Sequence, residues 1–93
     1  MSEHEIEQKL VKAVKAMGGI TPKFASPGYA GMPDRIILLP GGKTAFVEVK
    51  AMGRKPRPLQ RKRHETLRKL GFKVFVLDDA GQIGGIIREI QSV

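Results

Sequence analysis

The chain has 93 residues, no cysteine and a formal net charge of +8 at pH 7. That length supports one modest core, so residues 1–93 are expected to form a single domain. Without cysteine there is no disulfide framework, no thiolate metal site and no cysteine nucleophile, which fits a reducing cytoplasm. The positive balance favours a polyanionic partner, nucleic acid before membrane.

No apolar run approaches the roughly 20 residues that a spanning helix needs, and Met1-Ser2-Glu3-His4-Glu5 does not read as a signal peptide. Residues 3 to about 17 have the spacing of an amphipathic helix, with Ile6, Leu10, Val14 and Met17 inward and Gly18-Gly19 as the stop. Ser2 and Glu5 have capping-box spacing. Glu3 and Glu7 lie at the edge of the inward stripe, where ordinary N-terminal acids suit the helix dipole equally well.

Residues 20–26 are expected to form a short strand, confined to an edge by Pro22. The loop Ser26-Pro27-Gly28-Tyr29-Ala30-Gly31-Met32-Pro33 follows, with Tyr29 either stacking on a base or covering the loop. Two strands, Asp34 to Leu39 and Thr44 to Lys50, flank Pro40-Gly41-Gly42-Lys43, a hairpin turn. Alternation puts Thr44, Phe46, Glu48 and Lys50 on one face, and Ala45, Val47 and Val49 on the other. The hairpin returns Glu48 and Lys50 to the start of the first strand, where Asp34 lies. Two carboxylates and an ammonium are thereby gathered at one end of the sheet, unless Glu48 and Lys50 form only a cross-strand ion pair.

Ala51 to Arg57 is a basic loop. Pro58 to Leu70 reads as a second helix, with Leu59, Leu67 and Leu70 as its apolar stripe and Gln60, His64 and Leu67 along one edge. Phe72 to Leu77 is a last strand. The tail from Gln82 to Val93 has helical spacing at Ile83, Ile86, Ile87 and Ile90. Between Lys50 and Lys73 stand ten Lys or Arg and a single acid, Glu65, a run that suits a solvated face as readily as a nucleic-acid interface. His4 and His64 have no partner at metal-ligand spacing and are assigned to the surface.

Phosphodiester hydrolysis needs a cation that polarises the phosphate and acidifies a water, with a positive group facing the developing charge. Mg2+ or Mn2+ takes one or two carboxylates and retains several waters. Asp34 and Glu48 provide that pair, the Val49 carbonyl a third oxygen, and Lys50 a group to orient or deprotonate the water. Arg54, Lys55, Arg57, Arg61 and Lys62 are the expected phosphate contacts. A non-catalytic nucleic-acid-binding module is the rival reading, and it leaves the two acids unexplained, since acids near phosphates repel without a metal.

Pro33-Asp34 followed by Glu48-Val49-Lys50 is similar to the PD-(D/E)xK nuclease pattern. With Ile6-Glu7, Lys23-Phe24, Ser26-Pro27-Gly28, Gly31-Met32, Leu39-Pro40-Gly41-Gly42 and Pro58-Leu59-Gln60, the chain from about Glu3 to Leu77 resembles the virus-type replication-repair nuclease (VRR-NUC) domain. The resemblance implies an α/β, restriction-endonuclease-like core: a central mixed four-stranded sheet flanked by helices, in the order α-β-β-β-α-β plus a C-terminal helix. It implies Asp34 and Glu48 as metal ligands, Lys50 as the catalytic lysine, Glu7 (or Glu3) as the first-helix acid of the metal site, and Gln60 near metal and phosphate. It further implies a stand-alone phage or bacterial protein in the cytoplasm of a bacterial or phage-infected cell. Such proteins are homodimers that cut branched DNA, four-way (Holliday) junctions in particular, in replication and repair. The isoleucine-rich tail or one face of the hairpin is the expected subunit contact.

Overall fold

A computed structural model describes residues 1–92. Helix α1 runs Glu3–Ala16, strands β1 and β2 Arg35–Leu39 and Lys43–Val49, helix α2 Pro58–Lys69, strand β3 Val74–Leu77 and helix α3 Ile83–Gln91, which a 3-10 turn over Ala80–Gln82 introduces. The sheet order is β1-β2-β3, antiparallel between β1 and β2 and parallel between β2 and β3. A parallel neighbour needs a crossover. Residues 50–73, with α2 in the middle, provide it and bring the basic run over one face of the sheet.

The sheet is mixed as expected but has three strands among the described residues, not four. The segment from Ile20 to Ser26 makes only two isolated bridges, Ile20 with Leu38 and Lys23 with Arg35. Ile20 and Leu38 exchange both backbone bonds, and the Pro22 carbonyl accepts from the Ile36 N–H at 3.2 Å. Pro22 has no N–H to return, so the ladder breaks in its middle.

Alternation along β2 sorts the interior into two layers. Ala45, Val47 and Val49 join Ile6, Leu10 and Val14 of α1, Ile37 and Leu39 of β1, Leu77 and the four isoleucines of α3 in the larger core. These isoleucines are therefore spent within the chain and are not free for a subunit contact. On the opposite face Phe46 packs with Leu67 and Val74, and Phe24 and Phe72 meet its ring edge-on at 5.5 and 5.7 Å.

Ser2 and Glu5 close the capping box of α1 as expected. Met17 falls past the helix end and is exposed. The stripe expected on α2 is also corrected, because Leu59 and Leu70 face solvent while Gln60, His64 and Leu67 face inward. Burial thus follows the i, i+4, i+7 edge, and two of its three members are polar. The hairpin closes through Pro40–Gly42, where Gly41 and Gly42 both take positive φ, as a tight return requires.

Candidate active site

The register of the hairpin pairs Arg35 with Val47, so Asp34 and Glu48 come next at the open end. Asp34 lies just before β1, and its Oδ1 accepts the Val49 N–H at 3.1 Å, continuing the ladder with a side chain. Glu48 points from β2 beneath α2 and is only 3% exposed. Its Oε2 accepts from the Gln60 side-chain amide at 3.1 Å and lies 3.9 Å from the Lys50 Nζ. The Gln60 Oε1 accepts the Arg57 N–H at 2.8 Å, so this amide is anchored at both ends at the start of α2. Asp34, Glu48, Val49, Lys50 and Gln60 are thus gathered at one end of the sheet.

Both acids hold their protons more tightly than free carboxyls. Burial pushes Glu48 up to about 7, reinforced by the Asp34 charge and by Glu3, against the opposing pull of Lys50 and Arg57. Asp34 is raised mainly by burial, with Glu7 and Glu3 adding to it and the Val49 N–H lowering it. Two adjacent carboxylates that resist ionisation are a place where a cation relieves both burial and repulsion.

The first-helix acids flank this cluster, near enough for their charge to reach Asp34. Glu7 pairs with Arg35 at 2.8 Å, and the same guanidinium donates to the Thr21 carbonyl. Glu3 lines a cleft of about 380 Å³ with Lys50, Ala51, Arg54, Lys55 and Arg57. Among the described residues no three His, Asp or Glu side chains converge as a metal cage. The two carboxylates at this end of the sheet are oxygen donors of the kind that Mg2+ or Mn2+ accepts while keeping most of its waters. The Glu48 Oε1 is buried and has no hydrogen-bond partner among the described residues.

Of the expected phosphate contacts, Arg54, Lys55 and Arg57 border the cleft at Lys50. Arg61 joins Arg54 and Lys55 along a second cleft of about 460 Å³, with Arg68 beyond. Lys62 is exposed on α2. Tyr29 lies under the Arg63 guanidinium, 3.9 Å from its ring centre, and Arg63 also donates to the Ala30 carbonyl at 2.8 Å, so α2 holds the loop before Asp34.

His64 corrects its assignment to the surface. It is 2% exposed, with Nε2 3.6 Å from the Glu48 Oε1. The signal was its spacing, four residues after Gln60 and three before Leu67 on the inward edge.

Two comparisons agree with this geometry. The phage protein "Putative nuclease p44" of Acyrthosiphon pisum secondary endosymbiont phage 1 is 53% identical over 76 residues, which cover 82% of this chain and 82% of that protein. A solved structure described as a VRR_NUC domain superposes with a TM-score of 0.85 at 34% identity, covering 92% of this chain and 94% of the other. No family model matches the chain.

Proposed function

Because this chain belongs to the VRR-NUC family of nucleases, we propose that it is a Mg2+- or Mn2+-dependent endonuclease that hydrolyses phosphodiester bonds in branched DNA, four-way junctions foremost, in replication, repair or recombination. The observation that carries the reading is the half-buried Asp34 and the buried Glu48 beside Lys50, two acids whose mutual repulsion and desolvation make sense around a cation. Asp34, Glu48 and the Val49 carbonyl would hold the ion, with Glu7, or Glu3, completing its surroundings. When bound, the ion polarises the phosphate and acidifies the attacking water.

The chain's own groups do the rest. Lys50 faces the developing negative charge and orients or deprotonates the water. Gln60, anchored to the Arg57 N–H, fixes one oxygen of Glu48. Arg54, Lys55, Arg57, Arg61 and Lys62 bind flanking phosphates and fix the register of the backbone over the acids.

Cleavage of labelled duplex, flap and four-way substrates, with and without Mg2+, tests the reading. The wild type is expected to cut the four-way junction fastest and only with the ion. Lys50→Ala is expected to bind it normally and cut at least about a hundredfold more slowly, the usual effect of losing a preorganised charge. If both proteins bind and neither cuts, the chain is a non-catalytic binding module.

A homodimer is part of the proposal. Paired incisions across a four-way junction need two active sites, which a C2 pair supplies. Light scattering should return twice the 10.2 kDa chain mass at micromolar concentration, and a monomer mass would refute the dimer.

A further inference from the structure

Three side chains of α2 face inward, and only Leu67 is apolar. Gln60 has its partners: it donates to the Glu48 Oε2 and accepts from the Arg57 N–H. His64, one turn on, is buried more deeply, and its Nε2 stands 3.6 Å from the Glu48 Oε1. Neither of these two buried atoms has a hydrogen-bond partner among the described residues. An unpartnered polar atom in the interior is costly, and an aliphatic side chain beside Leu67 would fill the position without that cost. Filling space therefore does not account for the imidazole.

A neutral imidazole carries one N–H and one lone pair. A lone pair on Nε2 would face a carboxylate oxygen and repel it. A proton there faces an acceptor.

We propose that His64 is a positioning residue for Glu48: its Nε2–H is directed at Oε1 while Gln60 secures Oε2, so that α2 holds the carboxylate by both oxygens and sets its orientation toward the cation. The inference rests on Glu48 being a metal ligand. Groups that orient ligands in this way change metal affinity or activity by 10- to 100-fold when removed, as a rough rule.

Mn2+ titration calorimetry on the full chain, with melting curves, separates the possibilities across wild type, Glu48→Gln, His64→Leu and His64→Gln. His64→Leu is expected to bind Mn2+ about tenfold more weakly or worse, with a melting temperature no lower than wild type. His64→Gln, which returns an N–H donor at a similar reach, should recover to within about threefold. In cleavage, kcat should fall in His64→Leu with KM unchanged. Nitrogen-15 spectra of the wild-type imidazole should show the Nε2–H tautomer, a readout that no variant's folding can confuse.

A His64→Leu protein that binds Mn2+ as wild type does, or a ring with its proton on Nδ1, overturns the inference. Glu48→Gln binding as wild type would instead remove the metal-ligand reading beneath it. A weak Glu48→Gln beside a normal His64→Leu removes His64 alone.

Discussion

Glu48 is where burial, charge and chemistry conflict most directly. Its carboxyl sits near 7 because the interior and Asp34 both oppose ionisation, while Lys50 and Arg57 favour it. A cation must displace that proton, so apparent Mg2+ affinity should rise with pH, by up to about tenfold per unit below 7, and level off above. Calorimetry at pH 6, 7 and 8 in buffers of different ionisation enthalpy would report the released proton directly. Stability carries the opposite sign. The folded value lies above the 4.5 of a free glutamate, so the neutral carboxyl's stabilising contribution is complete below about 4.5 and lost as pH rises through 7. Without metal this contribution should lower the melting temperature over that window relative to Glu48→Gln, at about 4–8 °C for each kcal/mol in a domain of this size, and saturating Mg2+ should flatten the trend. His64, whose pKa burial lowers, gains stability as pH rises and pulls the other way. The comparison is therefore wild type against Glu48→Gln, and a difference between them that climbs from pH 5 to 7.5 would contradict the burial of this acid.

At the level of elements, much of the arrangement is legible from spacing alone. Period-two alternation predicts both faces of β2, and Ser2 with Glu5 predicts the start of α1. Asp34, Glu48 and Lys50 are legible because a hairpin converts sequence distance into proximity, whereas Gln60 on α2 is legible only through the family resemblance. The expected edge strand fails at Pro22, where one missing N–H breaks the ladder. The inward face of α2 is misread because hydrophobicity points to Leu59 and Leu70, whereas a polar cluster needs burying beneath the helix. Composition treats Gly28 and Gly31 of the loop before Asp34 alike; the fold separates them. A Cβ on Gly28 meets nothing within 4 Å, whereas Gly31 has φ of +87° and its Cβ would lie 2.8 Å from the Leu59 Cγ. Gly31→Ala should cost at least about 1–2 kcal/mol from the left-handed backbone alone, and loosen the loop that carries Tyr29 to Asp34. Gly28→Ala should stay within about 0.5 kcal/mol of wild type in chemical denaturation. Equal losses in the two variants would show that α2 does not grip this loop.

Across the whole molecule, the question is which basic face meets DNA, because charge is spread widely. The protein spans about 32 Å in its longest dimension, close to one turn of duplex, so a single copy covers one stretch of backbone. Arg54, Lys55 and Arg57 border the cleft that opens on Lys50, and Arg61 and Arg68 extend the same cationic path. Another cleft, of about 640 Å³, lies along α1, with Lys9, Lys12, Lys23 and Arg35 among the acids Glu5 and Glu7. Acids line the clefts on both sides, Glu3, Glu65 and Asp78 on the Lys50 side, but in this one two of the charged groups, Glu7 and Arg35, are already paired with each other. If the Lys50 side takes the phosphates, replacing Arg54, Lys55 and Arg57 with alanine should flatten the dependence of log affinity on log salt. The slope should change by about 0.9 for each phosphate on the duplex arms that the variant no longer neutralises, and binding should weaken across sequences alike. Replacing Lys9, Lys12 and Lys23 removes the same charge and should leave that slope nearly intact. The pair of triple variants, each titrated against one labelled four-way junction from low to moderate salt, separates local binding from bulk attraction. Equal slopes in both would mean that net charge alone draws the chain to DNA, and the cleft beside Lys50 would lose its place as the phosphate track.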